Sequence, residues 1–230
     1  MLKLIALEIR KNKLAGILKG VLYANLAILA FMILVVFIDQ SEADSTFVSY
    51  ADVFEGLYVF VKSTYIIFAA ILLSKLVIEE YKNNTITLLF MYPISRKKLI
   101  TAKLIIVFLF TLVNIVVAEI VIGGILVGIN HYVNVVPGQL TWSMLSVELV
   151  KVGTSAVYAA GIGLIPLFFG MRKKSVPTTI VAAVLLVSLI SSGFDEFRLG
   201  NMAAVSIVLA VVGMGVAYLS IRKIETADID

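Results

Sequence analysis

Glu119 is the residue whose position asks most of chemistry. It lies deep inside the apolar run from about 100 to 129, two-thirds of the way along. A carboxylate in hydrocarbon costs several kcal/mol when unpaired, so it marks a proton or cation site, the lining of a substrate path, or an ion pair. Lys62 and Lys151 are the available partners, and Lys151 can instead pair with Glu148, three residues back on the same helix face. Asn25 and Asn114 also sit in apolar runs, where an amide bonds across to a neighbouring helix. Glu79 and Glu80 stand side by side at the end of another run, either as a solvated helix end or as a contact to a basic partner surface. None of these groups forms a catalytic constellation. Ser, His and Asp never gather, the single histidine, His131, falls in a loop, and there is no cysteine. Thiol chemistry and disulfides are excluded, and no metal site is expected.

The elements that must position these residues are membrane spans. The 230-residue chain is 61% hydrophobic with a mean hydropathy of +1.06, and its charges cluster between apolar runs of spanning length. The expected fold is an all-α polytopic membrane protein, residues 1–230 forming one transmembrane domain. Residues 1–15 mix Leu and Ile with Lys3, Glu8, Arg10, Lys11 and Lys13, too charged to span and apolar enough to lie on the inner leaflet. Spans are expected at about 17–38, 57–78, 100–129, 148–169, 177–192 and 201–221. The first is too long for a cleaved signal and lacks a small-residue cleavage site.

Charge orients the bundle. The 39–56 loop carries Asp39, Glu42, Asp44, Asp52 and Glu55 without Lys or Arg, whereas Arg172, Lys173, Lys174, Arg222 and Lys223 end spans on the other side. Lys and Arg are retained on the cytoplasmic side, so both termini are expected there. The net charge of +4 is thus a topology signal, not a nucleic-acid footprint, and the partner it implies is the lipid bilayer. Span three is longer than a bilayer requires and must tilt or project. Pro166 is expected to kink span four. Gly124 and Gly128 form a GxxxG pair, and Ser155, Ala159 and Gly163 a small-residue stripe, both suited to close helix approach within the chain or between copies.

The segment EEYKNNTITLLFMYPISRKKLITAK, residues 79–103, is a basic hairpin with too much pattern to be a plain linker. Asn83, Asn84 and Thr85 can cap a short helix over about 83–92, with Leu88, Leu89, Phe90 and Met91 as its apolar cluster. Pro93 ends it and Ser95 can cap the next helix. A short helix lying across the cytoplasmic face is a docking element.

Residues 80–103 resemble the permease subunits of type-2 ATP-binding-cassette (ABC) exporters. The resemblance is carried by Glu80, Asn84-Thr85, Leu88-Leu89, Pro93-Ile94-Ser95-Arg96 and Lys103, with Asn84 where the family often has Gly. The six-span layout and amphipathic N-terminal helix are similar to that family too, as is the size of the small permeases that export bacitracin, lantibiotics and other peptides from Gram-positive bacteria. The resemblance implies a multi-pass protein of the bacterial cytoplasmic membrane that is not an enzyme. A separate ABC ATPase would bind ATP and Mg²⁺, since this chain has no GxxxxGK[ST] stretch and binds no cofactor of its own. A second permease copy, identical or paralogous, would complete the transporter. Docking would fall to Thr85, Leu88, Leu89, Phe90, Met91 and Pro93, with Glu79, Glu80 and Arg96 among the charged rims. The alternatives are an ATP-independent transporter or channel using Glu119, and a non-transporting sensor or assembly protein. The lack of an inverted repeat argues against the first.

Overall fold

The computed structural model describes residues 4, 5, 7, 8, 15–39, 47–83, 96–133, 136, 141–191, 193, 194, 197, 198 and 203–223. Its long elements are all helices. In chain order they are α1 (Ala15–Asp39), α2 (Tyr50–Leu73), a π-helical turn (Ser74–Ile78), α3 (Glu79–Lys82), α4 (Arg96–Val133), α5 (Trp142–Ile162), α6 (Pro166–Lys173), α7 (Val176–Ser191) and α8 (Ala203–Lys223). A two-residue antiparallel ladder, β1 (Gly193–Phe194) with β2 (Phe197–Arg198), pairs Gly193 with Arg198 in the tight loop between α7 and α8. Among the described residues, five helical stretches are long and apolar enough to cross a membrane, and Val176–Ser191 is a shorter sixth apolar helix.

Spans two and four begin well before hydropathy places them. The second starts at Tyr50 rather than near 57, because Ser49 and Asp52 cap it. The Ser49 amide and hydroxyl both donate to Asp52 Oδ2 at 2.8 Å, and the Asp52 amide donates to the Ser49 carbonyl at 3.2 Å. The fourth starts at Trp142 rather than near 148. The third runs 38 residues, about 57 Å at 1.5 Å per residue, so it exceeds the bilayer's hydrocarbon thickness.

Pro166 acts as expected. It interrupts span four between α5 and α6, and short i→i+3 bonds carry the backbone across: Leu164 N–H to Gly161 O and Ile165 N–H to Ile162 O, at 3.1 and 3.0 Å. Beyond α6 the chain turns at Lys174, which adopts a left-handed conformation (φ 46°) and closes the helix on the Gly170 carbonyl.

The helices pack into two compact units. One comprises 15–64 and 113–156. In it Phe31 meets Phe60 edge-on at 4.9 Å, and the Phe54 ring lies so close to Gly123 that a β-carbon there would be 3.2 Å from it. The other comprises 1–14, 65–112 and 157–230. Its helices approach through small residues: a β-carbon at Gly163 would stand 2.8 Å from Ala69 Cβ, and one at Gly170 would stand 2.2 Å from Thr179 Oγ1. Gly124 and Gly128 behave differently. Side chains added there would meet nothing within 4 Å, so the GxxxG pair packs no described neighbour within this chain.

Leu22, Leu26, Leu34, Leu185, Val208 and Val211 are large apolar side chains left exposed, as a bilayer-facing surface requires.

Candidate functional site

The base of the 79–103 hairpin is built around a buried lysine. Lys103 lies on α4 and is fully buried. Its ammonium donates to the Leu76 carbonyl at 2.7 Å, pairs directly with Glu80, and lies 3.8 Å from Glu8 Oε2. Two carboxylates and a carbonyl thus compensate a charge that would otherwise be costly to remove from water. Leu76 belongs to the π-turn, whose wider winding is closed by the Glu79 amide donating to the Ser74 carbonyl. π-turns occur mostly as single turns inserted in α-helices, often at functional sites.

This geometry revises the reading of the paired acids. Glu79 is exposed and so is Lys82, whereas Glu80 is only 8% exposed and is held by Lys103. Glu80 is therefore held internally by Lys103, and Glu79 is the exposed member of the pair. In the first turn of α4 Lys97 is half-buried and Lys98 exposed. The short helix expected over about 83–92, with Thr85, Leu88, Leu89, Phe90, Met91 and Pro93, lies outside the described residues beyond Asn83. Arg96 opens α4, and its side chain too lies outside the described set.

A second polar group sits within the unit of residues 15–64 and 113–156. Glu119 is 4% exposed, and neither carboxylate oxygen has a hydrogen-bond partner of full geometry. Lys62 acts on it through charge, and the Ser155 hydroxyl lies beside it while donating to the Val152 carbonyl at 3.1 Å. Glu148, by contrast, is saturated. Lys151 donates to its Oε1 at 2.7 Å, the i,i+3 pairing expected from the sequence, and the Tyr58 hydroxyl donates to Oε2. Of the candidate cations, Lys62 is the one whose charge acts on Glu119. Asn25 and Asn114 are both half-buried.

Three contributors carried no role in the sequence reading. Glu8 had one signal, being the sole acid among the basic residues of the N-terminal 15. Tyr58 had none, because a phenol in a span is ordinary. Asn130 clasps its own loop: its Nδ2 donates to Tyr50 Oη and the Val136 carbonyl at 2.6 and 2.9 Å, and its Oδ1 accepts from the Val136 amide at 2.8 Å.

Residues 4–189 match the family described as ABC-2 family transporter protein. That span takes in the whole hairpin and the buried cluster at its base. The chain belongs to the ABC-2 transporter family. Its task is accordingly that of a membrane permease component of an ABC transporter, with transport and not catalysis as its role. It is also 39% identical to the Bacillus subtilis (strain 168) protein named "Uncharacterized protein YcbO", over 99% of this chain and 100% of the relative. No solved structure matches the chain. ABC-2 membership accounts for the polytopic helical fold and implies pairing with an ABC ATPase.

Proposed function

We propose that this ABC-2 permease docks a separate ABC ATPase through the 83–92 segment. ATP and Mg²⁺ bound in that ATPase would then drive export across the bacterial cytoplasmic membrane. The observation that carries the reading is the family match spanning the hairpin, in a chain without a phosphate-binding GxxxxGK[ST] stretch. Mechanical coupling needs a short helix with an apolar anchor, which Leu88, Leu89, Phe90 and Met91 supply. Exposed Glu79 and Lys98 supply charge at its flanks. The working unit is two permeases, identical or paralogous, with two ATPases, both permease termini facing the cytoplasm. The cargo is a peptide, antibiotic or other amphipathic molecule, which suits a path lined by apolar spans.

The test is purification of the tagged protein from its own host in mild detergent, with mass spectrometry of what co-elutes. A roughly stoichiometric ABC ATPase is expected, lost in Leu88→Asp/Leu89→Asp while the permease still inserts. Recovery of the chain alone in more than one detergent would overturn the reading. Weight would then move to ATP-independent transport through Glu119, a carboxylate buried within its span.

A further inference from the structure

The Glu8–Lys103–Glu80 cluster joins three separate stretches of one compact unit, and its form is not that of a mere stabiliser. A buried ion cluster of this kind is often no more stable than apolar packing of equal volume, because desolvation offsets the attraction. What it confers is direction. Lys103 can meet all three acceptors only when α4, the π-turn with α3, and the stretch carrying Glu8 hold one mutual arrangement.

The π-turn sets that arrangement. An added residue turns everything after it by about 100° relative to an uninterrupted α-helix. With the turn in place Glu80 faces inward to Lys103 while Glu79 faces solvent. Lys103 also donates to a carbonyl inside the turn, so the ion pair and the turn hold each other. At the other end, residues 7 and 8 are helical and oppositely placed: Leu7 is 64% exposed, whereas Glu8 is buried against Lys103.

We propose that this cluster is the joint fastening the N-terminal stretch at Glu8 to the base of the ATPase-facing hairpin, so that the two move as one body when the ATPase cycles. The proposal rests on the permease reading for its driving force, but the joint itself can be tested without it. Lys103 is a positioning residue here. Removing its charge releases the stretch carrying Glu8 from α4 and frees Glu80 to rotate.

The chain has no cysteine, so Leu7→Cys and Lys82→Cys give a unique spin-label pair on two exposed positions. Distances are measured by pulsed electron resonance on the full-length permease in nanodiscs, alone and with a cysteine-free ATPase, nucleotide-free and vanadate-trapped. Expected is one narrow distribution whose mean does not change on trapping, broadened severalfold in Lys103→Met and restored in Lys103→Arg. Glu8→Gln keeps the Lys103–Glu80 pair and should broaden the distribution without unfolding the protein. A Leu7–Lys82 distance that shifts on trapping in the otherwise native protein, or one that stays narrow in both Lys103→Met and Glu8→Gln, overturns the joint. Failure of the ATPase to bind at all counts against docking instead, and the permease-alone measurement still decides the joint.

Discussion

α8 crosses α5 at a point where two glycines leave no room for a methyl group. A β-carbon at Gly213 would lie 2.0 Å from the Gly161 carbonyl oxygen and 2.8 Å from its carbonyl carbon. Both are backbone atoms, so no side-chain rotation relieves the clash and the helices must separate. Gly213→Ala therefore carries an overpacking cost of about 1–3 kcal/mol, against a helix-propensity gain of up to about 1 kcal/mol. Gly215, two residues on, would place its β-carbon in open space, so Gly215→Ala collects the gain without the cost. The difference between the two variants thus isolates the crossing. At roughly 2–4 °C per kcal/mol for a chain of this size, Gly213→Ala should melt about 2–12 °C below Gly215→Ala. The assay is loss of the monodisperse size-exclusion peak after stepwise heating in one detergent at a fixed rate. Coincident melting of the two variants would refute the α5–α8 contact and, with it, the placement of α8 in its unit.

The same assay tests the polar clasps. Tyr58→Phe removes a hydrogen bond to the Glu148 carboxylate, worth about 1.5–3 kcal/mol for a charged acceptor. Lys151→Met removes a pair whose lysine side chain is 55% exposed, worth about 0–1 kcal/mol. Tyr58→Phe should therefore be the more damaging, and the opposite order would refute the assignment of Glu148's partners. Asn130→Ala leaves the buried Val136 amide and carbonyl without their side-chain partner, at about 1–3 kcal/mol. Hydrogen exchange at the Val136 amide should accelerate accordingly, and unchanged protection would count against the clasp.

What is legible in the sequence is what depends on neighbours along the chain. Spans follow from run length against bilayer thickness. The break at Pro166 follows from its missing amide proton, and the Lys151–Glu148 pair from helical spacing. The hairpin motif is likewise contiguous, which is why it pointed to the ABC-2 family. Even the earlier start of span two was written locally, in Ser49 and Asp52, but a hydropathy average cannot see a cap. Tertiary structure alone decided the rest. Glu80 turns inward because a π-turn sets its azimuth and because Lys103, 23 residues away, returns beside it. Gly161 and Gly213 are the crossing, while Gly124 and Gly128 face open space, although all four look equally suited to close packing. Lys62 acts on Glu119 from another helix, whereas Lys151 pairs with Glu148 on its own. In each case the deciding quantity is which helix faces come together. That is set by packing many side chains at once, and no local window of residues contains it.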